Sequence, residues 1–293
     1  MIPAGDTSDL MSLGPLSAGE TARFFAAHRL DGMDCLSATF RTHVYAPHMH
    51  DTYVIGTIES GWEKVSALGR KGHAGPGDLV FVMPQDVHDG APAEGGYSYR
   101  MTYPGQDFLR DLAEAVTRRP VAAAPFFRDP VVHDPEGARL FAAAHHALEA
   151  GGEGLAGEEL LLRAYARTLV LHAGMAPAPE GEEAVPVNRI REMIEARHQE
   201  DLSLAELAAA VGWSRHHLIR AFRRQVGLTP HAYLIDVRVR RAQMRLRAGA
   251  GLATTAVATG FADQAHLTRA FKARIGVPPG AYRRAVRDEA AAA

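Results

Sequence analysis

The chain repeats itself near its C-terminal end, and that repeat limits what the end can build. Leu218–Tyr233 aligns with Leu267–Tyr282 at an offset of 49, with 8 identities in 16 positions. Upstream, Leu204, Ala208, Gly212 and Trp213 answer Leu252, Ala256, Gly260 and Phe261 at an offset of 48. The second copy therefore carries one extra residue in its turn. A solenoid needs about three or more repeats to bury its faces, so each copy must be a small unit in its own right.

The anatomy of that unit can be read from its residues. Ser203 followed by Glu206 is a capping-box signature, and Leu204, Leu207, Ala208 and Val211 form one face of a two-turn helix. Gly212 closes the helix in a conformation that only glycine adopts cheaply. Trp213 plugs the core and Ser214 caps a second helix. In that helix Leu218, Ala221, Phe222 and Val226 point inward, and Arg215, His216, Ile219, Arg220 and Arg223 share the outer face. In copy two Phe261 is the plug and Leu267, Ala270 and Phe271 the core. Gln264, Ala265, Thr268, Arg269 and Lys272 are its outer face. Two short helices about a tight glycine turn, the second exposed and basic, is the helix-turn-helix plan. Its second helix enters the major groove of double-stranded DNA, where Gln suits adenine and Arg suits guanine. Arg224 is placed nearer the phosphates.

Pro230 begins a helix running to about Arg247 that joins the copies. Tyr233, Leu234, Val237, Ala242 and Leu246 are available for packing, with Arg238, Arg240, Arg241, Arg245 and Arg247 outside. A rigid helix here sets the two reading heads roughly one DNA turn apart, about 34 Å. Charge agrees with a polyanionic partner at this end only. Residues 186–293 hold 18 basic and 9 acidic residues, net +9, whereas residues 1–185 are net −11.

The segment from about 189 to 287 closely resembles the DNA-binding domain of the AraC/XylS family of transcription regulators. The resemblance rests on Leu-Ala-Ala-Ala-Val-Gly-Trp-Ser, on Leu-Thr-Pro-His-Ala-Tyr-Leu, and above all on the run from Gly260 to Arg283. It implies base contacts from His216, Ile219 and Arg220 in copy one and from Gln264, Ala265 and Arg269 in copy two. Thr254-Thr255 stands where such chains usually have an acidic residue and an isoleucine, which weakens that first helix.

The front half reads differently. Residues 1–19 are aperiodic and read as a disordered tail. From Cys35 to about Tyr103, short apolar runs (Thr52–Ile58, Leu79–Met83, Tyr97–Tyr103) alternate with glycine turns, as in a small antiparallel barrel. Helical periods follow over Gln106–Thr117, Gly137–Ala150 and Gly157–Ala173. Ala176–Pro186 is rich in Pro and Glu and reads as a linker. The expected organisation is α+β: a cupin-like sensor barrel over 20–105, a helical dimerisation region over 106–174, a linker over 175–187, and an all-α double helix-turn-helix domain over 188–288. The 106–174 helices pack on the barrel in the alternative reading.

Pro47-His-Met-His50, Gly61, Pro76-Gly-Asp78 and Pro84…His88 resemble a cupin barrel. Metal-binding cupins add a glutamate whose place here is taken by Val54, the nearest acid being Glu59. His48, His50 and His88 stay in register. Two readings are open: a three-imidazole metal site, or histidines that contact an effector or are structural. The missing carboxylate favours the second. The expectation is thus a small-molecule effector held by His48, His50, His88, Tyr53 and Trp62, with no metal, no cofactor and no catalytic residue. The alternative is a cupin-type metal-dependent enzyme with a helical appendage. His145-His146 reads as solvated and Cys35, the single cysteine, as preceding a strand with no redox role. No apolar run of about 18 residues marks a membrane span, and Met1–Leu16 lacks the basic residues of a secretory leader. The implied setting is the cytoplasm, and the implied partners are a second copy of the chain and RNA polymerase.

Overall fold

A computed structural model of the chain describes residues 16–151, 154–177, 184–275 and 277–284. The expected tail falls mostly on residues 1–15, outside the described residues, as does 178–183 of the expected linker. The chain divides into two compact units. One comprises the residues up to 109 plus 124–142; the other comprises 110–123 plus 143 onward.

The first unit is an eight-stranded antiparallel sheet. Its strands are β1 (Thr21–Ala27), β2 (Met33–Phe40), β3 (Tyr45–His48), β4 (Val54–Ala67), β5 (Arg70–Ala74), β6 (Asp78–Val82), β7 (His88–Tyr103) and β8 (Val131–His133). The order is β1-β2-β7-β4-β6-β8, with β3 also on β7 and β5 also on β4. The long β4 and β7 are the spine. Their pairing shifts register between Ile58 and Ser60 and again between Gly61 and Glu63, and such bulges bend a sheet around its contents. Leu36, Phe40, Val54, Ile58, Val80, Tyr97, Tyr99 and Met101 form the core this curvature encloses. Each large apolar side chain so buried contributes about 1.5–3 kcal/mol. The antiparallel sheet agrees with the expected α+β class. β8 comes from beyond residue 105, the expected end of the barrel, and pairs with β6 through Asp78↔His133 to Val80↔Val131. Cys35 lies within β2, buried, rather than ahead of a strand.

The helices are α1 (Gln106–Thr117), α2 (Pro135–Glu149), α3 (Gly154–His172), α4 (Ala184–Ala196), α5 (Leu204–Ala209), α6 (Arg215–Val226), α7 (Pro230–Arg247), α8 (Leu252–Ala258) and α9 (Gln264–Ile275). α4 starts inside the stretch read as linker. In the second unit α5/α6 and α8/α9 are the two predicted pairs. Ser203 Oγ accepts from Glu206 N at 3.1 Å, Ser214 Oγ from His217 N at 3.1 Å, and Asp263 Oδ1 from His266 N at 2.6 Å. The Glu206 carboxylate does not complete a capping box but accepts from Arg197 Nη1 at 2.5 Å. The turn glycines are left-handed, with φ of 69° at Gly212 and 84° at Gly260.

The copies match down to their aromatic pairs. Phe222 meets Tyr233 edge-on at 5.5 Å between centroids, and Phe271 meets Tyr282 at 5.3 Å. α7 has 18 residues, about 27 Å of rigid rod between the copies. One arginine placed outside is inside: Arg238 is buried, donating from Nε to His198 O at 2.7 Å and from Nη2 to Glu200 O at 3.0 Å. That bond set ties α7 to the segment that follows α4. His145, expected in solvent, is fully buried while His146 is exposed, and Leu171 near the end of α3 is 56% exposed.

Candidate sensor cavity and DNA-reading helices

The sheet domain holds a cavity of about 260 Å³. Val54, Val80, Val82 and Met101 supply apolar wall, and His48, His50 and His88 line it together. Their convergence follows from register. His48 on β3 is the cross-strand partner of His88 on β7, and His50 follows two residues later. Ring centroids lie 4.2 Å apart for His48–His88, 4.8 Å for His50–His88 and 5.9 Å for His48–His50. Burial holds His50 below its ordinary value and His88 down to about 4, because a charged imidazolium is poorly solvated there.

Two groups in the wall escaped the sequence reading. Glu63 is buried, which pushes its carboxyl up to about 8, against the opposing effect of the Tyr97 hydroxyl that donates to Oε1 at 3.0 Å. At neutral pH it is largely a neutral acid. Tyr45 and Tyr99 share a hydroxyl–hydroxyl hydrogen bond of 2.8 Å. The only signal for Glu63 was an acid two residues before Val65 on a strand whose inward positions are otherwise apolar.

The structure corrects two of the five expected effector contacts. Tyr53 is fully buried but outside the cavity, donating its hydroxyl to Pro125 O at 2.6 Å and packing edge-on against Phe127. Residues near 125 join this unit beside β8, and they give the hydroxyl an acceptor that no local pattern reveals. Trp62 is 52% exposed, outside the cavity wall, with its ring packed over Gly75. Val54 does line the cavity, and Glu59 turns outward to pair with Arg100 at 2.9 Å.

The two expected reading faces are treated unequally. On α9, Gln264, Ala265, Arg269 and Lys272 are exposed, and Thr268 is half-buried with its hydroxyl bonded to Gln264 O at 2.8 Å. Of the expected α6 face Arg223 is exposed, whereas Arg215, His216, Arg220 and Arg224 are half-buried. Ile219, assigned to the outer face, is 3% exposed. Helix α3 packs on α6, and Arg215 Nη1 lies 3.6 Å from the fully buried Glu158. His216 is largely enclosed and meets the backbone of Ala115 in α1. Burial, then the charge of Arg220, holds its imidazole down to about 4. Arg118, just past α1, donates to His217 Nδ1 at 2.6 Å. Glu158 also accepts from Leu204 N, and Glu159 from His231 N, each at 3.2 Å.

An antiparallel sheet enclosing a polar-lined cavity, joined to two helix-turn-helix units, defines a DNA-binding regulator with a ligand-sensing domain. Residues 32–165 match the family described as AraC-like ligand binding domain, and residues 189–285 match the helix-turn-helix domain family. The chain is 30% identical over 225 residues, 74% of its length and 79% of the relative's, to an uncharacterized HTH-type transcriptional regulator, YbfI, of Bacillus subtilis. It belongs to the AraC family of transcription regulators. Among solved structures it is similar to the C-terminal domain of AraT, a response regulator from Geobacillus stearothermophilus, at 27% identity over 36% of this chain and 88% of that one, TM-score 0.34. It is also similar to the DNA-binding domain of AdpA in complex with a target DNA, at 30% identity over 36% of this chain and 95% of that one, TM-score 0.34.

Proposed function

We propose that this regulator reads its operator first through α9, and through α6 only after α1 and α3 release it, with a small molecule in the sheet-domain cavity controlling the release. The carrying observation is the contrast in exposure between the two faces: Ile219 is 3% exposed and Arg215, His216 and Arg220 are half-buried, whereas Gln264, Ala265, Arg269 and Lys272 on α9 are exposed. Chain connectivity supports a link to the cavity. Tyr103 lines the cavity, and α1 begins at Gln106, whose amide donates to Asp51 O at 3.4 Å beside His50. Ala115 lies near the far end of the same helix, and Arg118 directly follows it. A ligand shifts such an equilibrium only by its differential affinity for the covered and uncovered forms; a hundredfold preference amounts to about 2.7 kcal/mol.

The assigned contacts are Arg215, His216, Ile219, Arg220 and Arg223 on α6, and Gln264, Ala265, Thr268, Arg269 and Lys272 on α9, with Arg224 toward phosphate. A homodimer acting in the cytoplasm suits this reading, since two chains multiply modest affinities. No helix among the described residues is long and apolar enough to cross a membrane. The test is operator binding by the effector-free chain. Arg269→Ala is expected to cost about 1–3 kcal/mol, the worth of a bidentate base contact, whereas Arg220→Ala is expected to cost under about a third of that. Equal losses from the two substitutions overturn the reading.

A further inference from the structure

The fold makes room for the carboxyl of Glu63 in the cavity wall. Gly90 pairs with Val65 across β4 and β7, and a Cβ on it would fall 2.4 Å from Glu63 Oε1. Gly90 is not among the glycines of positive φ, so it serves by leaving space rather than by turning the chain. Glu63 is 7% exposed. Its Oε1 accepts from the Tyr97 hydroxyl at 3.0 Å, while Oε2 is buried with no hydrogen-bond partner. A buried oxygen left so is costly, and this one belongs to a residue that lines a cavity.

The rest of the wall has the same chemical sense. Among the described residues no lysine or arginine lines the cavity, whereas Asp89 lines it together with Glu63. Nδ1 of His48 lies 2.8 Å from Ala46 O, that of His50 2.9 Å from Thr52 O, and that of His88 3.0 Å from Asp86 O. A backbone carbonyl can only accept, so each Nδ1 carries a proton and each neutral ring presents a lone pair at Nε2. His50 Nε2 is buried without a hydrogen-bond partner. The Tyr45 and Tyr99 hydroxyls bond to each other and so leave one O–H between them. Acceptors outnumber donors on this wall. A carboxylate or carbonyl-rich ligand would bring lone pairs against lone pairs; a ligand rich in N–H groups would not.

We propose that the cavity takes a small primary amine as its ligand, bound as the ammonium ion on Glu63 Oε2, with any further polar group a hydroxyl or amino donor. Val54, Val80, Val82 and Met101 offer apolar wall to its alkyl part. Naming this amine as the effector rests on the sensor reading of the cavity. An ion pair out of water holds only when each charge has its partner, and the carboxyl supplies it by ionising. The Glu63 proton leaves to solvent as the ammonium enters, so the cavity's net charge is unchanged. Tyr45, Tyr97 and Tyr103 interact electrostatically with Glu63, and burial holds all three phenols above their ordinary value. Asp89 and the three imidazoles are the other ionisable groups along the wall.

The full-length chain, dialysed against a chelator, is to be titrated calorimetrically with aminobutanol, butanediol and hydroxybutyrate, and with their longer homologues. These share a skeleton and differ in one end group. The amine is expected to bind roughly tenfold or more tighter than the diol, on the scale of a charge-assisted hydrogen bond, and the hydroxy acid most weakly. Repeating the titration at pH 7 in buffers of different ionisation heat is expected to show about one proton released per amine bound. Glu63→Gln, which keeps the side chain's size, is expected to lose that preference and the proton release; circular dichroism checks its fold. Amines that bind no tighter than the diols, or a preference unchanged in folded Glu63→Gln, overturn the proposal. Operator affinity with each compound judges the sensor reading separately. A response to the diol or the hydroxy acid but not to the amine sinks the ammonium and leaves the sensor standing. Amine binding with proton release but no change in operator affinity keeps the site and sinks the sensor.

Discussion

The recognition helices α6 and α9 descend from the same sixteen-residue pattern yet stand in different surroundings. Both are capped at an equivalent position, Ser214 in one and Asp263 in the other. Both are locked by an edge-on pair, Trp213–His217 and Phe261–His266. Helix α9 packs chiefly on α7 and α8, through Leu267, Ala270 and Phe271. Helix α6 is packed from outside that plan as well, by α3 and the end of α1. Local sequence thus builds two equal reading heads, and chain segments some fifty to a hundred residues upstream make their surroundings unequal.

The turn glycines sharpen the comparison most strongly. Both have positive φ, so an alanine strains either turn by about 1–2 kcal/mol. At Gly212 an added Cβ meets nothing within 4 Å, whereas at Gly260 it falls 2.7 Å from His198 O and 2.9 Å from Gln199 Cα. Backbone cannot yield as a side-chain tip can, and overpacking adds about 1–3 kcal/mol. Gly260→Ala is therefore expected to lower chemical-denaturation stability by about 2–4 kcal/mol and Gly212→Ala by about 1–2 kcal/mol. Equal losses would place the two turns in equivalent surroundings.

A smaller effect separates the helices by pH. In the covered arrangement His216 is held near 4, below its ordinary 6.5. The facing charges of Arg220, His217 and Arg118 push the same way as burial. The covered form therefore holds fewer protons than the uncovered form between those values, and the cover is fully effective above about 6.5 and weakens as pH falls toward 4. Operator affinity of the effector-free chain should rise between pH 7.5 and 5.5, a few-fold beyond the rise shown by His216→Gln. An identical pH response in the variant would remove His216 from the cover.

The legibility of these features in the sequence follows physical range. Caps, turn glycines and inward faces depend on residues three or four apart, and the repeat displayed them twice. The helix periods over Gln106–Thr117 and 157–173 were equally local. Ile219 was misplaced because a helical wheel groups it with Arg215 and Arg220, yet in the folded unit it is 3% exposed. Arg238 sits on the arginine-rich helix α7 and reads as solvated, yet it is buried, donating to the carbonyls of His198 and Glu200. The cavity was half visible: histidine spacing placed His48, His50 and His88 on one wall, while the meeting of Glu63 with Tyr97 depends on the pairing of β4 with β7. Tyr53 and Trp62 look like wall residues until the neighbours of their strand are known.

Thiol labelling tests the unequal-heads account most directly and needs no effector. Ile219→Cys and Ala265→Cys place a thiol on each recognition helix, and the native Cys35 is buried. In the effector-free chain without DNA, the α9 thiol is expected to react at the rate of an exposed cysteine. The α6 thiol is expected to react roughly tenfold or more slowly, the ratio imposed by a local opening of about 1.4 kcal/mol or more. Comparable rates at the two positions, in folded protein, would contradict the account.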